Sequence, residues 1–244
     1  MARENPDVGG TLEFIDAAEA RSALAWWLEA GVDIAIQEEP RDWLKPALPR
    51  SPSPQRVAEP NVASPSQETL AELQQWLSSS MQLPLVGPGA KRILPHGPEE
   101  AEIMLLVDSP SVDDAVSGQP IGGDAWALAQ RMLAAIGIPA ERAYSASLSC
   151  FNTPGRKMTE AEREACVAIA RRHIALAKPK RLLLFGDSVS QAVLGKMLTQ
   201  ARGHAYKVEG VRTVATFHPR NLVNRPSNKS QAWKDLLLLM EEES

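Results

Sequence analysis

Residues 178–195, KPKRLLLFGDSVSQAVLG, contain a complete strand–turn–helix unit. RLLLF at 181–185 is a short continuous apolar run, the pattern of a strand buried on both faces of a parallel sheet. Gly186 breaks the run, Asp187 and Ser188 are residue types that cap helices, and residues 188–194 read as the helix that follows. Such a unit is the building block of an open α/β sheet.

The same pattern recurs on both sides. EIMLLV at 102–107, AYSASLS at 143–149 and RTVATF at 212–217 are further strand candidates. Helices fall between them. Residues 124–136 carry Trp126, Leu128, Met132, Leu133 and Ile136 at helical spacing, and Thr159 with Glu162 forms a capping box for a helix running to Ala177. Gln231 to Met240 reads as a closing helix. Ser64, Pro65 and Gln67 read as an N-cap, first-turn proline and N3 partner for a helix presenting Leu70, Leu73, Trp76 and Leu77 on one face. The expected fold over 64–244 is therefore α/β: three αβα layers around a central, mostly parallel sheet. Residues 1–45 read as a helical extension, with Leu12, Ile15, Leu24, Trp27 and Leu28 at helical spacing before Gly31. Residues 46–63, rich in proline and serine, read as a flexible linker.

Composition bounds the function classes. No run approaches the roughly 18 apolar residues of a membrane span, and the start MARENPDVGG lacks the pattern of a secretory leader. A soluble, cytoplasmic monomer is expected. Two cysteines, Cys150 and Cys166, cannot build a disulfide framework. The net charge of −4 excludes a wholly basic coat, yet charge is uneven. Between 202 and 229 the cations Arg202, Lys207, Arg212, Arg220, Arg225 and Lys229 face one acid, Glu209, an excess suited either to phosphates or to a solvated surface.

Sites in open α/β sheets gather outside the carboxyl ends of the strands. The residues there are DSPSVDDAVSGQPIGG, CFNTPGRK, GDSVS and HPRN. Asp108, Asp113 or Asp114, Gly122, Ser147, Ser188, His218 and Asn221 can thus converge on one polar cleft holding carboxylate and imidazole.

Three of these blocks, in order, resemble the uracil-DNA glycosylase superfamily, within it the iron–sulfur class often called family four. SPSVDDAVSGQPIGGDAWALAQRMLAAIGI is similar to the family's loop beginning Gly-Glu-Ala-Pro-Gly, its Gly-x-Pro-Phe segment and the next helix. KPKRLLLFGDSVSQAVLG looks like its Pro-Lys strand and glycine turn, and TFHPRNLVNRPSNKSQAWKDL its closing block. The resemblance covers roughly residues 70–240. It implies a DNA-repair enzyme that flips a damaged base and hydrolyses its bond to the sugar. It further implies a carboxylate at Asp108, with Asp113 and Asp114 in the acidic stretch behind it, and a base-stabilising His218. The base pocket would be Pro110, Ile121 and Ser147. The DNA-facing residues would be Gly122, Ser188, Arg220, Asn221, Arg225 and Lys229, with the loop after His218 pressing into the duplex.

The chain departs from that pattern. Asp108 stands where the family has Glu, Ile121 where it has the base-stacking Phe, and Ser147 where it has the base-reading Asn. Ser80 and Leu83 occupy the first pair of cluster-cysteine positions, leaving Cys150 and Cys166, so no iron–sulfur cluster and no other cofactor is expected. These departures equally suit a degenerate glycosylase fold that binds DNA or a protein without excising a base. The tryptophans of AWWLEAGVD and DWL (Trp26, Trp27, Trp43) suggest docking to a protein partner, or packing on the core. FGDSVS also resembles the Gly-Asp-Ser-Leu esterase block, with Ser188 as nucleophile and His218 as base, although no acid closely precedes His218.

Overall fold

The computed structural model describes residues 65–241 together with Arg21, Ser22 and Trp26. The chain divides into two units, Met1–Gln55 and Arg56–Ser244, and all elements named below belong to the second. Of the helix expected at 12–30, only Arg21, Ser22 and Trp26 are described, and they are helical. The 46–63 linker and Ser64 lie outside the described residues.

In chain order the described elements are α1 (Leu70–Ser79), β1 (Lys91–Arg92), β2 (Ile103–Val107), α2 (Val112–Ser117), α3 (Gly123–Ala135), β3 (Ala143–Ser147), β4 (Phe151–Asn152) and α4 (Glu160–Ala177). They continue with β5 (Arg181–Phe185), α5 (Asp187–Leu194), α6 (Leu198–Ala201), β6 (Ala205–Val208), β7 (Val211–Thr216), α7 (Pro219–Asn224) and α8 (Lys229–Met240). None of the described helices is long and apolar enough to cross a membrane.

Three expectations are corrected. Helix α1 starts at Leu70, not near Pro65, because Thr69 and Glu72 form a reciprocal capping box there. The segment after His218 is helix α7, not a loop, with His218 as its N-cap and Pro219 in its first turn. The loop after β2 contains helix α2, capped by Ser111 and Asp114.

Five strands form one sheet in the order β3-β2-β5-β7-β6, parallel except for β6, which pairs antiparallel with β7. The strand period of two divides the core into layers. Ile103, Leu105 and Val107 of β2 face a cluster with Ala125 and Leu133 of α3 and Leu236 and Leu239 of α8. Met104 and Leu106 face the opposite cluster with Ala170 and Ile174 of α4 and Val189 and Val193 of α5. The sheet is therefore covered on both faces, the three-layer arrangement expected. A third cluster, outside the sheet, joins Leu73 and Leu77 of α1 to Leu83, Leu85, Cys150, Phe151 and Ile169.

Strand order also locates the site. From β2 the chain continues to β3 on one side, whereas from β5 it continues to β6 and then β7 on the other. The crevice outside the carboxyl ends of β2 and β5 is the topological switch point, where open α/β sheets bind ligands.

Candidate active site

Register aligns the ends of the strands. Val107 pairs with Ser147 and Phe185 with Thr216, so Asp108, Gly186 and His218 leave the same edge of the sheet. Gly186 sits at φ +100, a conformation that side chains rarely adopt, and a Cβ built on it would lie 3.8 Å from His218 Cβ. The glycine thus turns the chain directly beside the imidazole.

His218 is half-buried, with its ring 6.1 Å from that of Phe185 between centroids. Its Nδ1 accepts the backbone N–H of Arg220 at 3.1 Å. Burial pushes its pKa down to about 4; the Arg220 charge adds to this and Asp114 opposes it. At neutral pH the ring is uncharged, and since Nδ1 accepts, the proton resides on Nε2.

Asp114 is 2% exposed and its carboxylate is fully engaged. Oδ1 accepts the backbone N–H of Gly122, and Oδ2 accepts the N–H and Oγ–H of Ser111, each at 2.7 Å. Arg220 Nη2 lies 2.7 Å from both Asp114 Oδ2 and Ser111 Oγ. Burial pushes the Asp114 carboxyl up, but the bonds from Ser111 and Gly122 and the Arg220 charge together hold it below the ordinary value. Gly122 is required by closeness: a Cβ there would meet Ser117 Oγ at 2.3 Å.

Asp108 follows β2 and is half-buried, Pro110 and Ser147 are buried, and Asp113 is exposed. Ile121 is 1% exposed and packs in the cluster behind β2. Asp113, Gly122 and Arg220 line a cavity of about 600 Å³ with Asp124, Val223 and Asn224. Asn221 and Arg225 line a neighbouring one of about 450 Å³ with Phe217, Asn224 and Asn228. A cavity of about 590 Å³ at the amino end of β3, lined by Gln74, His96, Trp126 and Glu141 among others, lies away from this edge.

Ser188 and Lys229 are exposed at the starts of α5 and α8, and among the described residues no hydrogen bond or ion pair ties them to the groups above. The cationic stretch is partly committed. Arg202 pairs with Asp235 at 2.7 Å and covers the Phe217 ring. Arg212 Nη2 donates to Leu238 O, and Arg220 holds Asp114. Arg225 and Lys229 are exposed.

Two residues at the site have no precedent in the motif reading. Asn152 Nδ2 donates to Pro110 O at 2.7 Å, and Lys91 Nζ donates to Ala115 O. No local sequence signal marks either. The Ser-x-x-Asp spacing of 111 to 114, by contrast, is a capping-box signature that would have revealed α2.

Of the four positions compared with cluster cysteines, Ser80 follows α1 and Cys166 lies in the core cluster on the α4 face of the sheet. Leu83 and Cys150 pack in the third core cluster. Arg92 donates to Leu77 O at 2.5 Å and Ser80 O at 2.6 Å, and stacks on Phe151. Burial pushes the Cys150 thiol up to about 12, with Arg92 opposing, and the Cys166 thiol up to about 12, reinforced by Cys150, Glu162 and Asp108. Among the described residues no group of three His, Cys, Asp or Glu side chains is placed to hold a metal ion.

Comparison with known proteins agrees with this architecture. Residues 94–237, more than half the chain, match the uracil DNA glycosylase superfamily. A Type-4 uracil-DNA glycosylase of Archaeoglobus fulgidus is 27% identical over 150 residues, covering 57% of this chain and 75% of that protein. Its counterpart from Pyrobaculum aerophilum is 22% identical over 180 residues, covering 69% and 92%. That from Sulfurisphaera tokodaii is 24% identical over 158 residues, covering 60% and 72%.

Proposed function

Since the chain belongs to the uracil DNA glycosylase superfamily, close to its family-four members, we propose that it excises a deaminated base from DNA by hydrolysing the N-glycosidic bond. The observation that carries this reading is the state of His218: a neutral imidazole, its Nδ1 occupied by the Arg220 N–H, at the same end of the sheet as the loop that bears Asp108. A neutral Nε2–H is the donor required by a base that leaves as an anion.

In the reaction so read, the target nucleotide is flipped out of the duplex into the crevice. The bond from C1′ to the base nitrogen breaks with its electron pair moving onto the base, whose carbonyl oxygen accepts from His218 Nε2. The Asp108 carboxylate stabilises the cationic sugar, orients a water whose oxygen bonds to C1′, and takes up the proton that water loses. Pro110, Ile121 and Ser147 bound the base pocket. Asp113, at the cavity rim, adds negative potential opposite the sugar. Gly122 and Ser188 lie along the DNA path, and the exposed Asn221, Arg225 and Lys229 meet phosphate. No iron–sulfur cluster enters this reading: with Ser80 and a packed Leu83 at two of the four positions, the chain offers two thiols where such a site takes four.

A second reading, DNA binding without excision, draws on Ile121. An aliphatic side chain this deeply buried offers a flipped base no aromatic face. One experiment separates the two. Purified protein is incubated with end-labelled oligonucleotides carrying uracil, hypoxanthine or xanthine, and abasic-site formation is followed beside His218→Ala and Asp108→Asn. Release abolished by both substitutions supports the glycosylase. Binding of all three oligonucleotides with no release supports the second reading.

A further inference from the structure

We propose that Arg220 is a positioning residue, which holds His218 in register with the strand-end loop through Asp114, and is not a phosphate contact; the proposal rests on the glycosylase reading above. Arg220 acts at both of its ends. Its backbone N–H donates to His218 Nδ1 at 3.1 Å and so selects the Nε2–H tautomer. Its guanidinium reaches residues more than a hundred positions earlier, with Nη2 lying 2.7 Å from Ser111 Oγ and from Asp114 Oδ2.

The receiving carboxylate is itself a junction. Asp114 caps α2 through Ser111 and takes the N–H of Gly122, the N-cap of α3. Arg220 therefore joins α7, α2 and the start of α3 at one point. Among the described residues no other side-chain hydrogen bond crosses from α7 to the loop that bears Asp108. The loop and the imidazole arrive from different strands, β2 and β7, separated in the sheet by β5. Their relative position is set by this bond together with the packing of α7 on α3.

Burial decides between positioning and phosphate binding. Side-chain exposure is 37% for Arg220 but 2% for Asp114. Drawing the guanidinium out to a phosphate would strand a buried carboxylate without its cation, a strongly unfavourable state. Arg225, at the C-cap of the same helix and exposed, has no such obligation among the described residues.

The test separates rate from affinity. Single-turnover excision and the salt dependence of DNA binding are measured for the wild type, Arg220→Gln, Arg220→Lys, Asp114→Asn, the Arg220→Gln/Asp114→Asn double variant and Arg225→Gln, with near-ultraviolet circular dichroism as the check on folding. For Arg220→Gln the expected result is an excision rate lower by on the order of 10- to 100-fold, with DNA affinity and its salt slope unchanged. Arg220→Lys recovers part of that rate, and the double variant is no slower than the slower single. Arg225→Gln loses affinity, with a salt slope smaller by about one. An unchanged rate constant in Arg220→Gln, with or without weakened DNA binding, overturns the proposal.

If the wild type excises no base, the glycosylase reading fails and the positioning claim is read separately. The ¹⁵N-imidazole spectrum of His218 is expected to show the one Nε2–H tautomer in both the wild type and Arg220→Gln, because the backbone N–H of residue 220 remains, while hydrogen exchange of that amide is at least tenfold faster in Arg220→Gln, where α7 has lost its tie to Asp114. An unchanged exchange rate overturns the proposal.

Discussion

Lys91 and Asn152 face each other on one rung of the β1–β4 ladder, and both side chains end on the stretch that bears Asp108, at Ala115 O and Pro110 O respectively. The next rung, Arg92 with Phe151, turns to the other side and closes the end of α1. A two-residue ladder thus braces the loop after β2 from outside the main sheet.

Removing one brace is expected to act on the loop more than on the fold. Asn152→Ala loses a side-chain hydrogen bond worth about 1 kcal/mol net. The melting temperature should fall by a few degrees while the excision rate falls by at least tenfold. Thermal unfolding and single-turnover excision, run side by side, check this; a rate loss no larger than the stability loss implies would refute it.

The pH profile follows from the His218 imidazole. Its pKa lies near 4, below the ordinary 6.5, so the neutral Nε2–H donor persists down to about pH 4. Excision should show no His218 inflection between pH 6 and 7. An acid limb is expected near pH 4, where Nδ1 gains a proton and can no longer accept from Arg220. Single-turnover rates from pH 4 to 8 measure it, and His218→Ala should lose on the order of 10²- to 10³-fold.

Arg92 carries a structural prediction. Its guanidinium satisfies two carbonyls at the end of α1 and covers Phe151. Arg92→Ala should destabilise the fold by about 2 kcal/mol, read by urea unfolding. Iron chelators should leave the wild-type unfolding midpoint unmoved, and a chelator-induced drop would contradict the cluster-free reading.

Stability should rise with pH in the acid range. Gln74 donates to Tyr144 Oη at 3.0 Å, leaving the hydroxyl proton for His173 Nε2 2.8 Å away. Burial pushes the His173 pKa down to about 4. Between pH 4 and 6.5 the unfolded chain holds a proton on this residue that the folded chain does not. Its stabilisation is complete above pH 6.5 and is lost as pH falls toward 4, by roughly 3 kcal/mol. His218 contributes in the same direction. His173→Gln should flatten the dependence, as seen in urea unfolding at several pH values.

Much of the fold was legible because its signals are local. Strand β5 coincides with RLLLF at 181–185, since a strand covered on both faces must be apolar throughout. The α4 cap falls on Thr159 and Glu162 as read, because a capping box is complete within four residues. Errors arose where two local patterns compete. Pro65 and Gln67 mimic a helix start, yet Thr69 and Glu72 satisfy the amide groups of α1. His218 followed by Pro219 reads equally as the opening of a loop or as the N-cap and first residue of a short helix.

The candidate site divides along the same line. Composition and period determine the strands, and each strand end nominates its own residues: Asp108, Ser147, Gly186, His218. Those are one-dimensional facts. Which of them meet is settled by strand order, and strand order depends on how helices cover two faces of a sheet, a property of the packed chain alone. The bond from Arg220 to Asp114 spans loops far apart in sequence, so no periodicity could announce it. It exists because β2 and β7 end on one edge and because burying the Asp114 carboxylate requires a cation beside it.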